Sequence, residues 1–367
     1  MKSSFALIVF AWISISFNSQ DAYAYPTYIR LGYNSCIGCH YNPAGGGMLT
    51  PYGKGISSTQ SLKSSELSDE EEEKLSHAKY LQAFQARILD YKTPTKNRIF
   101  PMEAEYLARM DFSKEWKVNL SVDVAPRPDN VDPKDAPKDY QRVYARIAEV
   151  NYYQNNNHSY FLGISPLPLG LGLVDHTDFV RANNRLQITD IPINFRSFGF
   201  FEKYTLNYFL YLPHYLELKG NQEKGLGGQF WYLWNKNISF GPQVLVGKTD
   251  TIKRELVGVL LKAGLNEYSY LGEANYTHRK INPDHNQFGQ WTYYNQFTYH
   301  PNDWFNIAYA FQGIKKDRDF ESSETRHSLM FQGKLFRAFT LMYESRLRHV
   351  NSSNEVSHLL QGFIQWW

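Results

Sequence analysis

Cysteine is nearly missing from this chain: two residues, Cys36 and Cys39, in 367. That count excludes a scaffold held by several disulfides and a zinc site of four thiolates. Long apolar runs are scarce as well. One lies at the amino terminus, and after it no stretch reaches the roughly 20 apolar residues of a membrane-spanning helix; mean hydropathy is -0.50. A helical membrane protein is therefore excluded. A β-barrel is not, because only alternate residues of its strands face lipid. Charge of one sign is in small excess, 39 Lys+Arg against 36 Asp+Glu, which gives no footing for nucleic acid as a partner. There is no repeat of fixed period, so a propeller is not indicated. There is no dense His/Asp/Glu cluster either, the 11 His being scattered. Asp284 and His285 share one loop, and ordinary solvation accounts for them.

Both cysteines fall in one motif, Cys36-Ile37-Gly38-Cys39-His40. Cys-x-x-Cys-His is the attachment signature of a c-type haem. The two thiols form thioethers with the porphyrin vinyl groups, and His40 is then placed as the proximal axial ligand. A disulfide between the two thiols and a small metal site are the other readings of the pair. The motif follows an apparent export signal: Met1 and Lys2, an apolar run from Phe5 to Ile15, and Ala22-Tyr23-Ala24 as the residues read by a signal peptidase. Cleavage after Ala24 would start the mature chain at Tyr25; an uncleaved anchor is the alternative. Export places Cys36 and Cys39 where c-type haem is attached.

Residues 25–78 read as a loop-rich haem-binding segment closed by a linker helix. Pro26, Pro43, Gly45-Gly46-Gly47 and Pro51 break regular structure, and Ser68-Asp69-Glu70-Glu71-Glu72-Glu73-Lys74 opens a short helix with an N-cap and carboxylates in its first turn. Gly45 to Gly47 would allow close approach to a porphyrin face, or form a plain turn. Met48 and His77 are the two candidates for the second axial ligand. A segment this small has little apolar surface with which to bury a haem alone, so the rest of the chain is the candidate cover.

From residue 79 to Trp367 the hydrophobic period is 2. Phe100, Met102, Ala104, Tyr106, Ala108 and Met110 share one face, against Glu103, Glu105, Arg109 and Asp111. Phe305, Ile307, Tyr309 and Phe311 alternate with Asn306, Ala308, Ala310 and Gln312; Phe339, Leu341 and Tyr343 alternate with Thr340, Glu344 and Arg346. Short turns near Ser113, Asn155, Lys203, Lys236, Asn266, Pro301 and Phe336 alternate with longer polar loops at Pro126–Asp139, Pro166–Asn184, Lys219–Leu226, Arg279–Asn286 and Ile314–Glu324. Short periplasmic turns and longer outer loops characterise transmembrane barrels. Tyr and Trp recur near strand ends, and the chain finishes on Phe363-Ile364-Gln365-Trp366-Trp367. The expectation is an all-β fold, a transmembrane antiparallel β-barrel of about 16 strands in the bacterial outer membrane, its lumen plugged by the small N-terminal haem-binding segment. A soluble periplasmic β-protein is the alternative. Glu103, Glu105, Arg109, Arg142, Arg146, Glu344, Arg346 and Arg348 are expected to face the lumen.

With Tyr25-Pro26-Thr27-Tyr28-Ile29-Arg30 leading to Cys36-Ile37-Gly38-Cys39-His40 and a barrel after it, the chain resembles the fused monohaem cytochrome–porins of the outer membrane. The resemblance implies one covalent haem c and electron transfer across the outer membrane. It also implies, as one form, oxidation of extracellular Fe(II); otherwise the chain is a non-enzymatic electron carrier. Its partners would be outer-membrane lipid, a soluble c-type cytochrome of the periplasm and an extracellular electron donor or acceptor. A porin for small solutes with a gating or sensing haem segment, and a haem enzyme such as a peroxidase, are the rival readings. In outer-membrane fractions, a haem-stained gel should show a band at the size of this chain, and Cys36→Ala should abolish it; an equally stained variant would remove covalent attachment from the account.

Overall fold

The computed structural model describes residues 78–367, apart from 125–142, 156, 173–177, 185, 187–190, 215–221, 282–285, 303, 317–322, 337–338, 351–352 and 367. Cys36, Cys39, His40, Met48 and His77 lie outside the described residues, as do Arg142, Asp284 and His285.

The period-2 stretches form strands β1 (Tyr80–Lys92), β2 (Asn97–Asp111), β3 (Trp116–Val124), β4 (Val143–Tyr153), β5 (His158–Ile164), β6 (Ile193–Phe200), β7 (Tyr204–Leu212) and β8 (Lys224–Asn235). They continue as β9 (Ile238–Lys248), β10 (Ile252–Leu265), β11 (Tyr268–Ile281), β12 (Asn286–Asn302), β13 (Phe305–Lys316), β14 (Glu324–Phe336), β15 (Phe339–Val350) and β16 (Ser353–Trp366). Each strand pairs antiparallel with its sequence neighbours, and β1 closes on β16 from Phe84 opposite Trp366 to Lys92 opposite His358. The result is one closed barrel of 16 strands. No helix among the described residues is long and apolar enough to cross a membrane.

Side-chain parity divides the wall into two surfaces. Glu103, Glu105, Arg109, Asn306, Gln312, Thr340, Glu344 and Arg346 are buried inside, as their alternation with apolar residues predicts. Large apolar side chains stand exposed outside, among them Leu162, Leu210, Val244, Val257, Val259 and Phe297. A polar interior under an apolar exterior is stable only with lipid around it.

The two rims differ. One has tight connections at 112–115, 154–157, 201–203, 236–237 and 266–267. Several are closed by a side-chain oxygen. Asn155 Oδ1 accepts from the amides of Asn157 and His158 at 2.8 Å, and Asn235 Oδ1 does the same for Asn237 and Ile238 at 2.8 Å. Above this rim, rings run from strand to strand. Trp116 lies 4.8 Å from Tyr152, and Tyr160 continues the row to Phe195 at 6.2 Å, forming part of an aromatic girdle. The opposite rim carries the longer connections, including 125–142, 165–192 and 213–223. It therefore corresponds to the outer face.

Two boundaries differ from the sequence reading. The strands enter the expected loop Arg279–Asn286 from both sides, β11 running to Ile281 and β12 starting at Asn286. The turn expected at Pro301 falls later, since β12 continues to Asn302 through a register shift after Tyr299. A bulge accommodates a proline that cannot donate to the ladder.

Val259 stands in the middle of β10 and is 62% exposed on the outer surface. Val259→Arg is expected to destabilise the barrel by about 2–4 kcal/mol in lipid vesicles, read by denaturant unfolding; a change near zero would mean that β10 does not face the bilayer core.

Candidate functional site: the lumen and its inbound segment

Where β5 ends, the chain leaves the wall. Gly163 takes φ 151°, and a Cβ there would come within 2.2 Å of the Ala148 carbonyl oxygen, so glycine is required at this exit. The following residues do not form a polar outer loop, as the reading of Pro166–Asn184 had it. Those of them that are described pack inside the barrel. Leu167, Leu169 and Leu186 pack against Phe209, Tyr211, Leu245 and Leu256 on the inner faces of β7, β9 and β10. The segment's short helix α1 (Phe179–Ala182) buries Val180 against Leu271, Tyr294 and Ala310 of β11, β12 and β13.

Hydrogen bonds fix this segment to wall residues far away in sequence. The Gly170 amide donates to Gln243 Oε1 at 2.7 Å, and Gln229 Nε2 donates to the Gly170 carbonyl at 3.1 Å. Gly170 adopts φ 79°, and a Cβ there would lie 3.0 Å from both carboxylate oxygens of Glu273. The next amide, Leu171, donates to Glu273 Oε2 at 2.9 Å, while Gln243 and Asn275 donate to Oε1 at 3.1 and 2.8 Å. Ahead of α1, Asp178 pairs with Arg326 and accepts from Gln312 Nε2 at 2.7 Å; the Phe179 amide donates to Gln312 Oε1 at 2.8 Å. After α1, the Asn184 side chain donates to Thr292 Oγ1 and accepts from Thr277 Oγ1, each at 2.8 Å. Arg254 donates to the Asn184 carbonyl and forms an ion pair with Glu223 at 2.8 Å. The segment is thereby anchored along the inner wall from β7 to β14.

On β1 to β6 the inner wall is ionic. Glu103 accepts from Arg87 at 2.8 Å and from Arg146 at 3.2 Å, and Arg146 also reaches Glu105 at 3.5 Å and pairs with Asp123. Asp111 binds Arg109 and, at 3.0 Å, Lys117. Arg196, fully buried, pairs with Glu149 and lies 5.0 Å over the Phe161 ring. On β15, Arg346 holds Glu344 at 2.7 Å, and Arg348 holds Glu324 at 2.6 Å. Every described member of the expected lumen set thus faces inward, and the structure joins Glu103, Glu105 and Arg146 into one network with Arg87 and Asp123. The second axial candidates, Met48 and His77, and the thiols are not among the described residues, so no distance connects them to this wall. Among the described residues, no group of three or more His, Cys, Asp or Glu is arranged to hold a metal ion.

At the long-loop mouth, His214 follows β7 and is buried. Burial pushes its imidazole below the ordinary histidine value. Because burial disfavours the charged ring, this site loses stability as pH falls through the ordinary histidine range.

The sequence reading missed the inbound segment. Its signal was present in the apolar spacing of Leu167, Leu169 and Leu171, followed by Phe179 and Val180, which is wasteful in a solvated loop and natural in a packed one.

A closed antiparallel barrel with an apolar outside, a polar inside and unequal rims defines a bilayer-spanning protein of the outer-membrane type. No protein-family model and no curated protein matches the chain. Solved structures do. A loop L8 deletion mutant of OmpT, an outer membrane protein of Vibrio cholerae, superimposes with a TM-score of 0.62 at 8% identity, covering 78% of this chain and 99% of that one. The anion-selective porin of Comamonas acidovorans gives 0.58 at 7% identity, with 78% and 99% covered. The outer membrane channel DcaP of Acinetobacter baumannii gives 0.57 at 13% identity, with 78% and 97% covered. At these identities the likeness is one of fold.

Replacing both Asp178 and Asn184 by alanine removes the side-chain bonds to Arg326, Gln312, Thr292 and Thr277. Each buried partner left unsatisfied costs about 1–3 kcal/mol, which loosens the α1 part of the segment while the anchors at Gly170 and Leu171 remain. The variant should conduct more current per channel in planar bilayers than the parent; equal conductance would show that the segment does not narrow the path.

Proposed function

We propose that this protein carries electrons across the outer membrane, using a covalent haem c held by Cys36 and Cys39 with His40 as the proximal ligand. The observation that carries the reading is the Cys-x-x-Cys-His motif, containing the only cysteines of the chain, in the same chain as a porin-like barrel. Two thiols and an imidazole are the donor set that covalent haem requires. When bound, a c-type haem supplies a one-electron couple. Met48 and His77 are the candidates for the other axial position.

The barrel supports this reading in two ways. The bilayer core is about 30 Å thick, too far for one electron-transfer hop, so a redox centre must be carried partway through it. β1 begins at the short-turn rim, so the residues before it join the barrel on its periplasmic side, where a soluble c-type cytochrome is the natural partner. The described part of the inbound segment lies against the inner wall from β7 to β14, which suits an electron conduit that does not leak solutes. An extracellular donor or acceptor completes the path, with Fe(II) oxidation as one form.

A second reading, a channel for small solutes with a haem-bearing segment that gates or senses, is favoured by the likeness to porin folds and by the ionic inner wall of β1 to β6. Reconstitution separates the two. Proteoliposomes loaded with an oxidised dye and given an external reductant should show reduction inside with no release of a small solute. Solute release without dye reduction would replace electron transfer by the channel reading.

A further inference from the structure

On the outer surface of β8 to β11, four lysines stand side by side at the long-loop rim. Lys224 is opposite Lys248, Lys248 is opposite Lys253, and Lys253 is opposite Lys280. Their parity is outward. On β8 and β9 the next outward residues are Leu226 and Val246, and on β10 Val257 follows after Glu255; all three are exposed, whereas Arg254 and Leu256 between them on β10 are buried in the lumen. The row therefore crowns the apolar band at the depth of lipid headgroups.

Ammonium groups directly opposite one another repel and weaken a sheet. Here the same repulsion recurs across four adjacent strands. Two described carboxylates lie beside the row: Asp250, exposed in the turn between Lys248 and Lys253, and Glu255, which pairs with Lys253 and lies 3.8 Å from His278 Nδ1, one step below Lys280. Two carboxylates do not balance four ammonium groups, so the described rim keeps an excess of positive charge facing the bilayer surface. With strands about 4.8 Å apart, the row is about 15 Å long, which gives room for more than one phosphate. Thr249 Oγ1 accepts from the Ile252 amide at 2.9 Å and holds the turn between Lys248 and Lys253.

We propose that Lys224, Lys248, Lys253 and Lys280 form a binding site for the phosphorylated headgroup of a lipid in the outer leaflet. Acyl chains of that lipid would lie along Leu226, Val246, Val257 and Val259, and the phosphates would sit among the ammonium groups. The site is independent of the lumen and of any haem.

The test uses the full chain in detergent micelles, titrated with diphosphorylated lipid A and with the same lipid after phosphate removal, bound lipid being counted by native mass spectrometry. The wild type should retain the phosphorylated lipid and not the dephosphorylated one. Lys224→Gln, Lys248→Gln, Lys253→Gln and Lys280→Gln combined should weaken retention by about tenfold or more. The double variant Lys248→Gln, Lys253→Gln should give an intermediate loss, and the heat-modifiable gel mobility of each variant reports that its barrel is folded. Unchanged retention in a folded variant, or equal retention of the dephosphorylated lipid, would overturn the proposal. So would displacement of the lipid by inorganic phosphate at equal concentration, which would mark the row as a site for free anions.

Discussion

A strand in a bilayer has no water to satisfy its backbone, so every amide and carbonyl must be met by another strand. The pairing of β1 with β16 meets that demand for the last two open edges, and most other features follow from it. Closure turns the period-2 alternation into an inside and an outside. It also fixes which residues share a depth, since the register carries around the whole circle. The lysines of β8 to β11 stand in one row, and the rings from Trp116 to Phe195 in another, because closure leaves no strand free to slip.

The inside of such a barrel is too wide for wall side chains to fill at this strand number. The protein fills part of it with its own chain. The segment from 165 to 192 does not cross the lumen by apolar packing alone. Its backbone amides at Gly170, Leu171 and Phe179 are met by Gln243, Glu273 and Gln312, which replaces the water those groups would otherwise bind. An irregular segment at membrane depth is tolerated only on this condition. The long side chains of the wall therefore do the work that a neighbouring strand does elsewhere.

How much of this was legible depended on whether a residue obeyed the strand period. The inward positions of Glu103, Glu105, Arg109, Asn306 and Gln312 could be read directly, because a closed sheet makes parity and burial the same thing. The strand number was readable from the alternation of turn lengths. The fate of Pro166 to Asn184 was not, because a segment held by amide-to-side-chain bonds has no period of its own. Its contacts with Gln243, Glu273, Gln312 and Thr292 join residues separated by whole strands, and only closure brings them together. The partners of Glu103 were equally hidden: Arg146 was read as lumen-facing, but its reach across β3 to Glu103 follows from the register of β2 to β4.

The two halves of the inner wall have different chemistry, and this bears on what passes between them. From β7 to β14 the wall offers amides, hydroxyls and apolar rings to the inbound segment, together with single charged groups at Glu273, Arg254 and Arg326. From β1 to β6 it offers alternating acid and base, with Arg87, Glu103, Arg146 and Asp123 in mutual contact. These charges are buried, so removing one member of a pair would leave its partner uncompensated. The ionic half lies on the strands that follow directly from the haem-motif segment in sequence. Under the proposed function, the segment carrying the haem motif would meet this half of the wall, since the inbound segment is anchored to the other.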